Sequence, residues 1–196
     1  MKTFRYFAYA SFCFAVFYGC NPVDASDDEE PVIPYSACFS NFDSALVHKD
    51  IARSLSVWDT SWTIPRKFTL LPLLERLIWE FESLLYISEV ISEIPLLRVA
   101  SFTYNRINRI SPEIRNARRL EDLALSYNYL TSLPDEICDM PSLKYLNLFC
   151  NDISVLPDSI GKLRTLRILD IRANPISADE ILRIQAQLPH ASIMHD

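Results

Sequence analysis

The sequence predicts an α/β solenoid, a chain wound into stacked turns, and three observations carry that prediction. LEDLALSYNYL (Leu120–Leu130), LKYLNLFCNDI (Leu143–Ile153) and LRILDIRANPI (Leu166–Ile176) share the pattern L-x-x-L-x-L/I-x-x-N-x-L/I and start 23 residues apart. The stretches between them keep the same step, since LPDEICDMPSL (Leu133–Leu143) returns as LPDSIGKLRTL (Leu156–Leu166). Asn105, Asn128, Asn151 and Asn174 form a third column at that spacing. In L-x-x-L-x-L the last two apolar residues are two apart and share one face of a strand. One repeat cannot cover its own leucines, so adjacent turns must bury them. Full burial of a leucine is worth roughly 1.5–3 kcal/mol.

The first element is an address. Residues 1–19 read MKTFRYFAYASFCFAVFYG, with Lys2 and Arg5 ahead of an uncharged stretch from Tyr6 to Gly19. About 20 apolar residues are needed to span a bilayer, so this stretch has the length of a secretory h-region. It ends Phe17-Tyr18-Gly19-Cys20, which resembles the lipobox of bacterial lipoproteins. Gly19 and Cys20 fit that pattern; Phe17 and Tyr18 stand where Leu and Ala or Ser are usual. The resemblance implies that Cys20 is acylated and becomes the new N-terminus, anchoring the chain on a membrane. Residues 20–38 then form a tether with Pro22, Pro31 and Pro34 and the acid run Asp27-Asp28-Glu29-Glu30. Like charges and prolines keep such a segment extended. Ser26 plus the acid run also resembles surface-export signals of some Gram-negative lipoproteins. Asn21 is compatible with outer-membrane sorting, so the expected location is the outer membrane, facing the periplasm or the outside.

Residues 39–63 are expected to cap the front, with a helix from about Asn41 to Lys49. A strand at Arg53–Val57 follows, Leu55 and Val57 pointing inward one residue out of phase. Residues 64–176 hold the repeats. LERLIWEFESL (Leu74–Leu84) and LRVASFTYNRI (Leu97–Ile107) precede the three clearest copies, with Glu82 where Asn recurs. Pro65, Pro134 and Pro157 share one slot; Pro72, Pro95 and Pro141 share another. Over residues 64–188 the chain resembles the leucine-rich-repeat family. That resemblance implies one short strand per turn, a curved parallel sheet on the concave side, and short helical or extended segments on the convex side. The Asn column reads as structural, because an amide can satisfy backbone groups of adjacent turns.

Residues 177–196 are expected to close the other end. Ser177 or Asp179 can cap a helix through about Gln187, with Ile181, Leu182, Ile184 and Leu188 as its apolar face. Pro189 stops it, and Ala191–Met194 adds a final strand. Caps cover an apolar end and a sheet edge that a bare solenoid exposes. Cysteine usage leaves Cys38, Cys138 and Cys150 after export, enough for one disulfide whose partners the sequence does not assign.

In the resembled family the concave face is the usual binding surface. By phase its outward slots are Arg76, Ile78, Glu80; Val99, Ser101, Thr103; Asp122, Ala124, Ser126; Tyr145, Asn147, Phe149; and Ile168, Asp170, Arg172. The next slot adds Phe81, Tyr104, Tyr127 and Cys150, and Tyr129 lies two beyond Tyr127. Tyr104, Asp122, Tyr127, Tyr129, Tyr145, Asn147, Phe149, Asp170 and Arg172 therefore form the candidate contact set, since Tyr beside Arg and Asp is typical of interaction hot spots. The competing reading is that the tyrosines only cover loop backbone.

Chemistry is thinly represented. Gly19 and Gly161 are the two glycines, too few for a glycine-rich phosphate loop. His48, His190 and His195 have no metal-ligand spacing with Cys or Glu. The chain has 19 Lys+Arg against 25 Asp+Glu, which disfavours nucleic acid. Cys150 is the one candidate thiol near the concave rim, and the bases nearest to it, His190 and His195, belong to the far cap. The expectation is a monomeric, lipid-anchored envelope protein, without enzyme activity, cofactor or metal, that binds a protein, or a glycan, on its concave face. The alternatives are a structural or adhesive surface spacer and, more remotely, a Cys-dependent enzyme.

Overall fold

A computed structural model describes residues 37–39, 42–50, 52–57, 62–81 and 83–196. The expected export segment, Cys20, the acidic stretch and Glu82 lie outside the described residues. Eight strands form one sheet: β1 (Ala37–Phe39), β2 (Ala52–Val57), β3 (Arg76–Trp79), β5 (Val99–Ser101), β7 (Asp122–Ala124), β8 (Tyr145–Asn147), β9 (Ile168–Asp170) and β10 (Ser192–Met194). They are hydrogen-bonded in that order, and each pair is parallel. On the other side β4 (Tyr86–Ile87) and β6 (Arg109–Ile110) pair. There too lie α2 (Val90–Glu93) and 3-10 turns at Arg66–Leu70, Pro112–Asn116, Asp135–Asp139 and Ile160–Lys162. Helix α1 (Phe42–Val47) follows β1, and α3 (Ala178–Gln187) precedes β10.

The leucine columns are what the turns share. Leu77, Ala100, Leu123, Leu146, Leu169 and Ile193 stand opposite one another across the sheet. Trp79, Phe102, Leu125, Leu148 and Ile171 form the next inward column, and both columns are buried from β3 to β9. The front turn is out of step, since Leu55 pairs with Leu77 and Val57 with Trp79. Phe42 stacks on Phe68, which packs against Trp79, so α1 closes the core at that end.

The Asn column ties turn to turn. Asn128 Nδ2 donates to the carbonyls of Phe102 and Leu125, each at 3.0 Å, and its Oδ1 accepts the Ile107 amide at 2.9 Å. Asn105, Asn151 and Asn174 repeat this geometry. The side chain thus satisfies backbone groups that strand pairing leaves over at the end of each strand.

At the far end Ser177 caps α3 by accepting the Glu180 amide. Glu180 Oε1 accepts the Leu156 amide at 2.9 Å, and Arg183 donates to the Leu156 carbonyl at 2.8 Å. The helix therefore satisfies the backbone of a turn that has no following turn beside it at that point. Ile184 and Leu188 are buried beneath it, while Leu182, expected on the apolar face, is exposed. Cys138 is buried and Cys150 partly exposed, and both are free thiols.

Candidate functional site: the concave face

Because strand side chains alternate, every second residue of β3, β5, β7, β8, β9 and β10 stands on the concave face. One row runs Arg76, Val99, Asp122, Tyr145, Ile168, and the next Ile78, Ser101, Ala124, Asn147, Asp170. β10 adds Ser192 beside Ile168 and Met194 beside Asp170. Large exposed apolar groups gather at one end of this surface: Tyr145 is 39% exposed, Ile168 38% and Met194 36%. They stand on three consecutive strands.

The middle of the face is different. Ser101 and Ser126, expected to face solvent, are buried. Their side chains are short and sit below larger neighbours. Ser101 Oγ hydrogen-bonds Glu80, Thr103 Oγ1 lies 3.3 Å from Ser101 Oγ, and Ser126 Oγ lies 3.2 Å from Thr103 Oγ1. Burial pushes the Glu80 carboxyl above its ordinary range, with the Ser101 hydroxyl pulling the other way. Asp122 is also pushed up by burial, against the pull of the Arg76 guanidinium.

Asp170 is a second departure from the expected exposure. It is 7% exposed, and its carboxylate grips Arg172 Nε at 3.0 Å and Nη2 at 2.7 Å. It serves Arg172 instead of facing outward itself. Asn147 likewise spends its Oδ1 on the Phe149 amide at 3.0 Å.

The slot beyond the strands holds a ring column. Phe81, Tyr104, Tyr127, Cys150 and Ala173 all have positive φ, from 54° to 61°. The backbone needs this left-handed turn at each strand end, and side chains with a Cβ adopt it at a cost. The rings recover part of that cost by stacking. Phe81 and Tyr104 lie 4.6 Å apart and Tyr104 and Tyr127 4.1 Å apart, nearly parallel. Phe149 meets Tyr127 at 5.1 Å nearly perpendicular, and the Arg172 guanidinium covers Phe149 at 5.4 Å. The column is continuous from Phe81 to Arg172, pinned by Asp170. Ring faces are turned to each other, which leaves edges and hydroxyls outward. Tyr129 lies beyond this column and is exposed.

Three features were not in the expected contact set. Ile168 was among the outward slots but has no polar or aromatic mark of a hot spot. Met194 is hidden by register, because Ser192 pairs with Ile168 and the last step is therefore 24 residues. The ion pairs where strands begin, Arg53–Glu75 and Arg98–Glu121–Lys144, are visible in sequence as charges that alternate in sign from Glu75 to Lys144, each after the first leucine of its repeat, with Arg53 one turn ahead of them. Lys144 and Arg98 hold the Glu121 carboxyl below its ordinary range.

The two candidate bases for Cys150 have other partners. His190 Nε2 is 3.1 Å from the Leu163 carbonyl, and His195 is engaged by Gln185 and the Asp196 carbonyl. Among the described residues no three His, Cys, Asp or Glu groups are placed to hold a metal ion.

A leucine-rich-repeat family profile matches residues 118–176. Among solved structures, a leucine-rich-repeat protein of Leptospira interrogans is similar with a TM-score of 0.67 and 28% identity, over 80% of this chain and 40% of that one. An internalin of Listeria monocytogenes is similar in fold, with a TM-score of 0.61 and 14% identity over 81% of this chain and 53% of its own. The ectodomain of a plant membrane receptor kinase from Arabidopsis thaliana, solved in complex with Casparian strip integrity factor 2, gives 0.53 and 26% over 67% of this chain and 17% of its own. This chain thus spans well under two thirds of each of these proteins. No curated protein matches it. The fold is that of a leucine-rich-repeat solenoid, with its parallel sheet on the concave side.

Proposed function

We propose that this chain is an exported, lipid-anchored binding module whose concave face holds a protein partner. The observation that carries the reading is the cluster of Tyr145, Ile168 and Met194 on three adjoining strands, exposed on an open sheet. Exposed apolar groups beside Asp122 and the pinned Arg172 suit an interface in which aromatic anchors are bordered by charge. Leucine-rich-repeat proteins are typically binding scaffolds, and the Arabidopsis receptor kinase was solved with such a partner. The rings from Phe81 to Phe149 cover one another, so a glycan, the second reading, would stack on the exposed Tyr129 or Tyr145 instead. No reaction, cofactor or metal is part of this reading.

The anchor is proposed from Gly19-Cys20 and the preceding uncharged stretch, and the location from the tether: the outer membrane, facing the periplasm or the outside. Labelled palmitate should enter the wild-type chain and not Cys20→Ser. Proteolysis of intact cells should then cleave the protein if it faces outward and spare it if it faces inward. For the partner, a Tyr145→Ala/Ile168→Ser double variant that keeps its thermal stability should lose what the wild type retains from envelope extracts. Unchanged retention by a folded variant removes the concave-face reading.

A further inference from the structure

The edge of the main sheet where the strands begin carries a row of cations. Several are consumed within the fold: Arg53 by Glu75, and Arg98 and Lys144 by Glu121. On the adjoining convex side Lys162 is taken by Asp139 and Arg66 by Glu93. Four are left. Arg118 and Arg119 occupy the turn before β7, Arg164 the turn before β9, and Arg167 stands immediately ahead of β9. All four are exposed, and none has a carboxylate at ion-pair distance among the described residues. Their backbone is fixed: the Arg118 amide donates to the Asn116 carbonyl and its own carbonyl accepts the Ser142 hydroxyl, and the Arg167 amide donates to the Lys144 carbonyl. An unpaired, ordered row of arginines is an anion-binding surface by charge and by donor geometry.

The sheet is parallel throughout, so β1 begins on this same edge, and the chain before Ala37 leaves from it. That chain holds Asp24, Asp27, Asp28, Glu29 and Glu30 within seven positions. β7 is four strands from β1 and β9 is six, which at ~4.8 Å per strand places the arginines about 19–29 Å away. An extended chain covers at most ~3.3–3.6 Å per residue, so Glu30 reaches about 25 Å from Ala37 and Asp27 about 35 Å. We infer that the acidic stretch Asp24–Glu30 docks along this edge, its carboxylates on Arg118, Arg119, Arg164 and Arg167. The docked stretch withholds the arginines from other polyanions and leaves the concave face open.

Zero-length carbodiimide cross-linking of the full chain tests this, using an Arg119→Lys variant to supply a reactive amine. Lys144–Glu121 and Lys162–Asp139, at 2.7 and 2.9 Å, are built-in positive controls. The expected result is a peptide joining position 119 to Asp27–Glu30. Its yield should fall about tenfold at ~1 M salt, where the screening length is near 3 Å. It should fall as much when Arg118, Arg164 and Arg167 are also changed to Glu. If the control links form and the 119 link does not, the docking is overturned. It is equally overturned if the acidic stretch links to Lys49 and Lys67 as well as to position 119, since that is random collision.

Discussion

The Asp196 carboxylate accepts the Ala173 amide at 2.6 Å, where one turn earlier the Arg172 carbonyl accepts the Cys150 amide at 3.0 Å. The same bond recurs from Tyr127 to Phe149 and from Tyr104 to Ser126, in each case to a backbone carbonyl. At Ala173 a side chain stands in for that carbonyl and continues the ladder by one more bond.

Ala173 also isolates the cost of the left-handed turn, because it has no ring to stack. Relief of that conformation is worth roughly 1–2 kcal/mol, against about 0.4–1 kcal/mol of unfolded-chain entropy for an added glycine. Ala173→Gly is therefore predicted to raise stability by about 0.5–1 kcal/mol in urea unfolding. Tyr127→Gly gains the same relief but breaks two ring contacts, each worth about 0.5–1.5 kcal/mol beyond the buried area. It should lower stability.

Asn128 is the strongest single test of the turn-to-turn ties. Asn128→Ala strands the Ile107 amide inside the solenoid and removes one of two amide donors from the Phe102 and Leu125 carbonyls, which keep Asn105 and Asn151 respectively. The buried unpaired amide costs about 1–3 kcal/mol and each of the two lost carbonyl bonds about 0.5–1.5 kcal/mol, so a loss of roughly 2 kcal/mol or more is expected. A loss below 1 kcal/mol would mean that water replaces the amide.

Two glutamates should respond to pH with opposite signs. Arg183 and the Leu156 amide hold the Glu180 carboxyl below the ordinary value of 4.5. Its contribution is full above 4.5 and is lost as pH falls through the folded value. Glu80 is raised by burial, so the folded state keeps its proton longer, and stability falls as pH rises from 4.5 through the raised value. Stability measured against pH should show Glu180→Gln destabilised at pH 7, with less acid sensitivity. Glu80→Gln should be as stable as wild type or more so at pH 7, and should lose the decline above 4.5.

The fold was legible because the leucine period is a packing constraint: columns that recur every 23 residues can only be covered by the next turn. The Asn pattern was legible for the same reason, since an amide beside each strand end has backbone on both sides. The candidate site was less so. Phase assigns a residue to the concave side but not its exposure, which is why Asp170, Ser101 and Ser126 proved buried. Side-chain length in neighbouring turns decides that, and it is a property of pairs. The ring column was visible as a list, Phe81, Tyr104 and Tyr127, but stacking depends on the left-handed backbone that turns those side chains into line. Met194 was lost to the lengthened last step.

The central claim is that the open concave face, at Tyr145, is where a partner sits. A photoreactive phenylalanine analogue placed at Tyr145 and, as a control, at exposed Val155 tests it in intact cells. The account predicts a discrete protein adduct at position 145 and none at 155. An adduct at 155 with none at 145, or the same adducts at both, would contradict it.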